Sequence, residues 1–130
     1  MAEHPNAELW RKASLAFIRG DADPGEARKF LSDNVVYHVP GAGPLAGDHE
    51  GFEAVRALML KIREKNLRIV DVHDVLATDE HVVALLRTTA SREGRELSMN
   101  RANIYHVRDG KITEAWLLTT DQRAADEFFS

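Results

Sequence analysis

The second half of the chain constrains its fold most. From Leu67 onward, four apolar segments rich in β-branched residues are separated by short polar breaks, which is typical of strands. These segments span residues 67–77, 81–91, 96–107 and 111–120. The last break contains Asp109-Gly110, and Asp-Gly between apolar strands is a strong hairpin signal. Because connections this short join antiparallel neighbours, we predict four hairpin-linked antiparallel strands.

The N-terminal part predicts two helices. Residues 5–20 carry apolar side chains at helical spacing, with Pro5 suited to the first turn and Gly20 to the C-terminal position. A second, short helix is predicted from Asp23, which is followed by Pro24 and Glu26 in a capping pattern. We expect this helix to extend through Leu31 and to end near residues 33–34.

A strand, a loop and a third helix follow. Residues 35–39 are β-branched or aromatic and predict a strand. Residues 41–51 hold four glycines and a proline, so we interpret them as a loop at the rim of a pocket. A third helix is predicted from the spacing of Phe52, Val55, Met59 and Ile62. The chain should end in a short helix capped by Asp121.

This order of elements predicts an α+β fold. A long twisted sheet must curl, and helices that cover its concave face leave a conical interior. Such an interior is where a small-molecule site is expected.

Composition limits the function. The 130 residues predict one domain, 1–130, and a net charge of -4 without a basic stripe does not favour nucleic-acid binding. No apolar run approaches a membrane span, and no signal peptide is evident at the N-terminus. The chain has no cysteine, which excludes disulfides and thiolate chemistry. We therefore expect a cytoplasmic protein.

Several stretches resemble one family in the right order along nearly the whole chain. They are Phe17-Ile18-Arg19-Gly20-Asp21, residues 31–41 (LSDNVVYHVPG), residues 44–47 (PLAG), residues 51–55 (GFEAV), residues 103–112 (NIYHVRDGKI) and residues 121–129 (DQRAADEFF). The chain thereby resembles the SnoaL-like branch of the nuclear transport factor 2-like superfamily, which includes ketosteroid isomerases and polyketide cyclases. The resemblance implies a cystatin-like cone in which N-terminal helices cover a curved mixed or antiparallel sheet around a central pocket.

His38 is the first candidate catalytic residue. In the resembling isomerases, the general base lies on the first strand, five residues after a motif aspartate. Counting from Asp33, that position here is His38, whose near-neutral pKa suits proton transfer. The alternative is a hydrogen-bonded residue on a half-buried strand. Because Val35, Tyr37 and Val39 form the more apolar face, an outward direction for His38 stays open.

Asn103 is the second candidate catalytic residue. The resemblance places it where the isomerases keep a protonated aspartate as an oxyanion donor, and an amide is also able to donate to an enolate. Arg101 and Tyr105 share its strand face and are predicted to bind ligand. The alternative is a polar row that faces solvent or a dimer partner. The isomerase tyrosine has no counterpart, because its position falls near Ala13.

The apolar wall of the predicted pocket comprises Trp10, Phe17, Met59 and Leu118. No cofactor is expected. Asp71, His73 and Asp74 lie close in sequence but lack a third-ligand pattern, so no metal site is predicted.

Two functions follow. The first is a cofactor-independent acid–base isomerase, cyclase or dehydratase that acts on a small, apolar, carbonyl-containing molecule. The second is a non-catalytic ligand-binding module or a homodimer formed through the outer sheet face.

Overall fold

The computed structural model describes residues 3–18 and 28–130, without the side chains of residues 15–18. Within these residues the chain forms three α-helices and six β-strands. In chain order they are α1 (Pro5–Ile18), β1 (Leu31–Val39), β2 (Gly47–Glu50), α2 (Phe52–Glu64), β3 (Arg68–Ala77), β4 (His81–Arg92), β5 (Arg95–Arg108), β6 (Lys111–Trp116) and α3 (Gln122–Phe129).

The strands form one curved sheet in the order β2-β1-β6-β5-β4-β3. The pair β1–β6 is parallel, with Tyr37 opposite Ala115, and all other neighbours are antiparallel. The hairpin after β5 turns at Asp109 and Gly110, whose φ angles of 53° and 75° lie in the left-handed region that such turns require. The predicted α+β class and the hairpin-linked antiparallel strands are confirmed.

Three predicted boundaries were wrong. Leu31 begins β1 rather than ending a second helix, and the predicted start of that helix, residues 23–27, lies outside the described residues. The glycine-rich loop is shorter than predicted, because residues 47–50 form β2 against β1. This strand is not predictable from its polar residues, which have low β-propensity. It forms because its backbone pairs with the backbone of β1. The last strand ends at Trp116, four residues early, although Arg101 and Thr119 form an isolated bridge.

The hydrophobic core lies on the concave face of the sheet. Alternate residues of β4 (Val82, Ala84 and Leu86) face it and are at most 4% exposed. Helix α2 presents Val55 and Leu58 to the same core. The residues between them on β4 point to the opposite face, which we call the outer face. The helices in the described part of the chain are too short or too polar to cross a membrane.

Helix α3 is held at the open end of the cone. The carboxylate of Asp121 accepts a hydrogen bond from the Ala124 amide at 3.0 Å, which confirms the predicted N-cap. Ala125 and Phe128 then bury the apolar side of this helix. The cap and this burial place α3 beside the loop that follows β1.

Candidate functional site

An open cavity lies where β1, the loop 40–46, α2 and α3 converge. It is open to solvent and has a volume of about 70 Å³. Its wall is mostly apolar and includes Val39, Pro44, Leu45, Leu58, Ile62, Leu67, Leu117 and Phe129. Charged side chains contribute at three positions, Lys65, Arg101 and Asp126. An apolar wall with few polar groups is typical of small-molecule sites.

The rim of the cavity is built by close contact between the loop and α3. Gly41 has a φ of 99°, a left-handed conformation that favours glycine, and the side-chain amide of Gln122 lies directly beside it. The Ala42 amide donates to Asp126 Oδ2 at 3.0 Å. Asp126 Oδ1 accepts from Gln122 Nε2 at 2.9 Å. Hydrogen bonds from Gln122 and then from Ala42 lower the pKa of the Asp126 carboxyl.

Arg101 reaches the cavity from the core face of β5. Its Nε donates to the Thr88 hydroxyl at 3.1 Å, and its Nη2 lies 4.0 Å from the Met99 sulfur. Burial lowers the pKa of the Arg101 guanidinium, because an apolar environment disfavours its charged form. No carboxylate among the described residues pairs with it. Arg101 is therefore a half-buried positive charge with unused donors.

Asn103 and Tyr105 continue the core face of β5 as a hydrogen-bonded group. The Asn103 amide oxygen accepts from the Leu118 backbone amide at 3.2 Å, and its Nδ2 donates to the Tyr105 hydroxyl at 3.4 Å. The Trp10 ring packs against the Tyr105 ring with a centroid distance of 6.4 Å. Burial raises the pKa of the Tyr105 hydroxyl. The group is inside the protein, and most of its hydrogen-bonding capacity is satisfied by the protein itself.

His38 lies on the outer face of β1, and its imidazole is held between two carboxylates. Nδ1 is 2.7 Å from Asp48 Oδ1, and Nε2 is 2.5 Å from Glu114 Oε2. The ring stacks on Trp116 with a centroid distance of 5.0 Å. Hydrogen bonds to Asp48 and then to Glu114 raise the pKa of His38. None of these three partners lines the cavity.

The polar cluster around His38 extends along the outer face. His106 Nδ1 lies 3.5 Å from Glu114 Oε1, and the His106 ring meets Trp116 edge-to-face at 4.9 Å. His81 packs against His106 at 4.8 Å. The histidines and carboxylates of β1, β2, β4, β5 and β6 thus form a connected network on the surface away from the core.

The structure brings some predicted site residues together and separates others. Arg101 lines the cavity, and Asn103, Tyr105 and Trp10 form the adjacent buried group. The Leu118 amide joins that group, Met59 packs against the core, and the side chain of Phe17 lies outside the described residues. His38 and Asn103 lie on opposite faces of the sheet. His38 and Ile104 are both paired with Trp116 and therefore share its face, and Asn103 precedes Ile104 on the strand and points the other way.

Sequence reasoning missed several cavity residues. Lys65, Leu117, Ala125, Asp126 and Phe129 line the cavity, yet none was predicted there. The amphipathic spacing of Ala125 and Phe128 indicates that one side of α3 is buried, but it does not indicate which part of the protein covers that side. Lys65 and Leu117 directly follow the last residues of α2 and β6 in the structure, where regular spacing gives no signal about the direction of a side chain.

Comparison with known proteins identifies the class. Residues 11–115 match the SnoaL-like domain, so the chain belongs to the SnoaL-like domain family. An uncharacterized protein of Mycobacterium tuberculosis is 31% identical, and the match covers all of both chains.

Solved structures agree with that assignment. Bal32a, from a soil-derived mobile gene cassette, superposes with a TM-score of 0.88 at 28% identity and 97% coverage of each chain. A Xanthomonas campestris protein of unknown function with a cystatin-like fold gives a TM-score of 0.84 at 25% identity, with 95% of this chain and 96% of that chain covered. The predicted resemblance to the SnoaL-like family and the predicted cystatin-like fold are confirmed.

Proposed function

We propose that this SnoaL-like domain binds a small, largely apolar molecule in the cavity between the loop 40–46, α2 and α3. The supporting observation is the wall itself, in which apolar side chains from separate elements surround an open space near a few charged groups. A folded protein normally fills such space with side chains. An apolar recess that is open to solvent and rimmed by a loop tied to α3 fits a ligand better than it fits a structural role.

Blocking the cavity tests this proposal. Leu45 lies on the rim loop and lines the cavity, so Leu45→Trp should occupy the space that a ligand would use. Leu76→Trp is the matched control, because Leu76 is 52% exposed on the outer face. We expect Leu45→Trp to weaken binding of an apolar dye such as 8-anilinonaphthalene-1-sulfonate, measured by fluorescence titration, by about tenfold or more. Equal binding by wild type and Leu45→Trp would place the dye elsewhere and contradict the proposal.

The acid–base function predicted from the sequence is a finer proposal. In it, Asn103 would stabilise an enolate oxygen and His38 would transfer the proton. The geometry supports Asn103 better than His38, because Asn103 neighbours the cavity residue Arg101 while His38 lies on the outer face. Proton exchange at an activated ketone, followed by NMR in deuterated water, separates the two roles. An unchanged rate in His38→Ala would exclude His38 as the base.

A second candidate function is a homodimer formed through the outer face. Apolar side chains are at least partly exposed there, on a side of the sheet that none of the described helices covers: Leu76, Val83, Leu85, Ile104 and Trp116. An open sheet face of this kind suits isologous contact with a second copy. We expect sedimentation to give a dimer for wild type and a monomer for Leu85→Asp, with cavity binding unchanged. A monomeric wild type at about 100 µM would refute the dimer.

A further inference from the structure

We propose that the molecule bound in the cavity is an apolar monocarboxylate, whose carboxylate pairs with Arg101. This inference rests on the proposed function and adds the chemical class of the ligand. Three observations support it: the unused donors of Arg101, the hydrogen bonds that already occupy Asp126, and the apolar side chains of the rest of the wall.

Arg101 has donors that the described protein does not use. Its Nε donates to Thr88, but its Nη groups meet only the sulfur of Met99, at 4.0 Å. A thioether is a weak acceptor, whereas a guanidinium is always charged and presents a planar fork of N–H groups. Buried positive charges are ordinarily paired with an acid. Among the described residues that acid is missing, and a ligand with a negative charge would supply it.

Asp126 does not supply the missing charge. It is the acidic residue of the cavity wall, but both of its oxygens already accept hydrogen bonds, one from Gln122 and one from Ala42. These contacts hold Asp126 on the rim, where it connects the loop to α3. The acid at the cavity thus has a structural role, and the arginine keeps its free donors.

Lys65 adds a second positive charge to the wall. Its ammonium lies 5.9 Å from the centre of the Phe129 ring, and no carboxylate among the described residues pairs with it. Of the described residues, two cations and one acid therefore face the cavity, so a ligand with a single negative charge would balance them. A carboxylate fits better than a spherical anion, because its two oxygens match the guanidinium fork.

The remaining wall determines the rest of the ligand. Away from Arg101, the cavity is bounded by aliphatic and aromatic side chains such as Leu45, Ile62 and Leu117. These side chains offer no hydrogen-bonding groups, so the body of the ligand must be hydrocarbon or aromatic. The combination describes medium-chain aliphatic acids and aryl-alkyl acids.

Matched probes test the class of ligand. We would titrate octanoate against octanamide, and 4-phenylbutanoate against 4-phenylbutanamide, into the protein by isothermal calorimetry at about neutral pH. Each pair has the same shape and differs in charge. We expect the acid to bind about tenfold or more tightly than its amide, because the amide leaves the guanidinium unpaired. Equal affinity within the pairs would contradict the carboxylate and leave cavity binding intact. If no probe binds, the proposed function fails as well.

Substitution of Arg101 supplies the second readout. Arg101→Met keeps the length and apolar stem of the side chain but removes the charge. We expect it to abolish the preference for acids, to leave amide binding within about twofold, and to raise the unfolding temperature of the ligand-free protein by a few degrees. Arg87→Met is the control, since Arg87 is exposed on the outer face of β4. It should change neither property.

A structural arginine would behave differently. If Arg101→Met lowers the unfolding temperature and keeps the preference for acids, Arg101 supports the fold and the inference is wrong. Arg101→Lys covers the case in which the methionine variant does not fold. It keeps the charge without the planar fork, so the preference for acids should fall but persist. An unchanged preference in Arg101→Lys would contradict bidentate pairing.

Discussion

Arg101 and His38 offer a comparison between the two faces of one sheet. Both are nitrogen-rich side chains in half-buried surroundings, on strands separated by β6 alone. On the outer face, His38 has a carboxylate at each ring nitrogen, from Asp48 and Glu114. On the core face, Arg101 has a hydroxyl and a sulfur.

The two residues differ in whether their hydrogen-bonding groups are already used within the protein or are left for a ligand. The carboxylates of β2 and β6 satisfy His38, so its ring links three strands and has no donor left for a ligand. Arg101 is desolvated without a charged partner among the described residues, which is unfavourable for the protein alone and favourable for binding an anion. In this family member, the polar group that lacks a partner among the described residues supports the proposed site better than the residue matched by resemblance to the isomerases.

The largest expected effect concerns a polar residue on the core face. Asn103→Ala should destabilise the protein by about 1–3 kcal/mol, because the Leu118 amide and the Tyr105 hydroxyl lose a partner inside the protein. Asn100 is the control, since its side chain is exposed on the same strand. Asn100→Ala should change stability by less than about 0.5 kcal/mol. An equal loss of unfolding free energy for the two variants in urea denaturation would show that the hydrogen bonds of Asn103 do not stabilise the fold.

A smaller, pH-dependent effect is expected for His38 on the outer face. Its pKa is raised by Asp48 and Glu114, so the folded state binds a proton more tightly than the unfolded state. The resulting stabilisation is complete below the ordinary histidine pKa and disappears as the pH rises through the folded-state pKa. His38→Gln should therefore cost more stability at about pH 6 than at about pH 9.

The control for this measurement is His49, whose Nε2 bonds to the Leu45 carbonyl rather than to an acid. His49→Gln therefore measures the cost of replacing a histidine with glutamine where the ring has no acid partner. A pH-independent cost of His38→Gln would mean that its two carboxylate contacts do not stabilise the charged ring.

The smallest expected effect involves the second histidine that contacts Glu114. The His106–Glu114 distance is 3.5 Å, and the His106 side chain is 41% exposed, so solvent screens the pair. A double-mutant cycle with His106→Gln and Glu114→Gln should give a coupling of about 0.2–0.5 kcal/mol at about pH 6. If the coupling of His106 with Glu114 exceeded that of His38 with Glu114, His106 rather than His38 would be the main partner of Glu114.

Much of the fold was predictable from local signals. The Asp109-Gly110 turn, the Asp121 cap and the spacing of Phe52, Val55 and Ile62 are short-range patterns, and each confirmed element depends on them. Strand β2 was not predictable, because Gly47–Glu50 is polar and its pairing is provided by a partner distant in the chain. The same holds for the parallel contact between β1 and β6, which joins residues about 80 positions apart.

The candidate site divides in the same way. The sequence by itself determined that residues 101, 103 and 105 share a face, and that residues 35, 37 and 39 form the apolar side of β1, because alternation along a strand is a local property. It left open which side His38 faces. Only the tertiary structure decided that α1 and α2 cover the face of Tyr37, that His38 turns outward to Asp48 and Glu114, and that α3 closes a cavity beside Arg101. The reason is that the hydrogen-bonding and ionic partners of a side chain are residues distant in the sequence, which only the folded chain brings close to it.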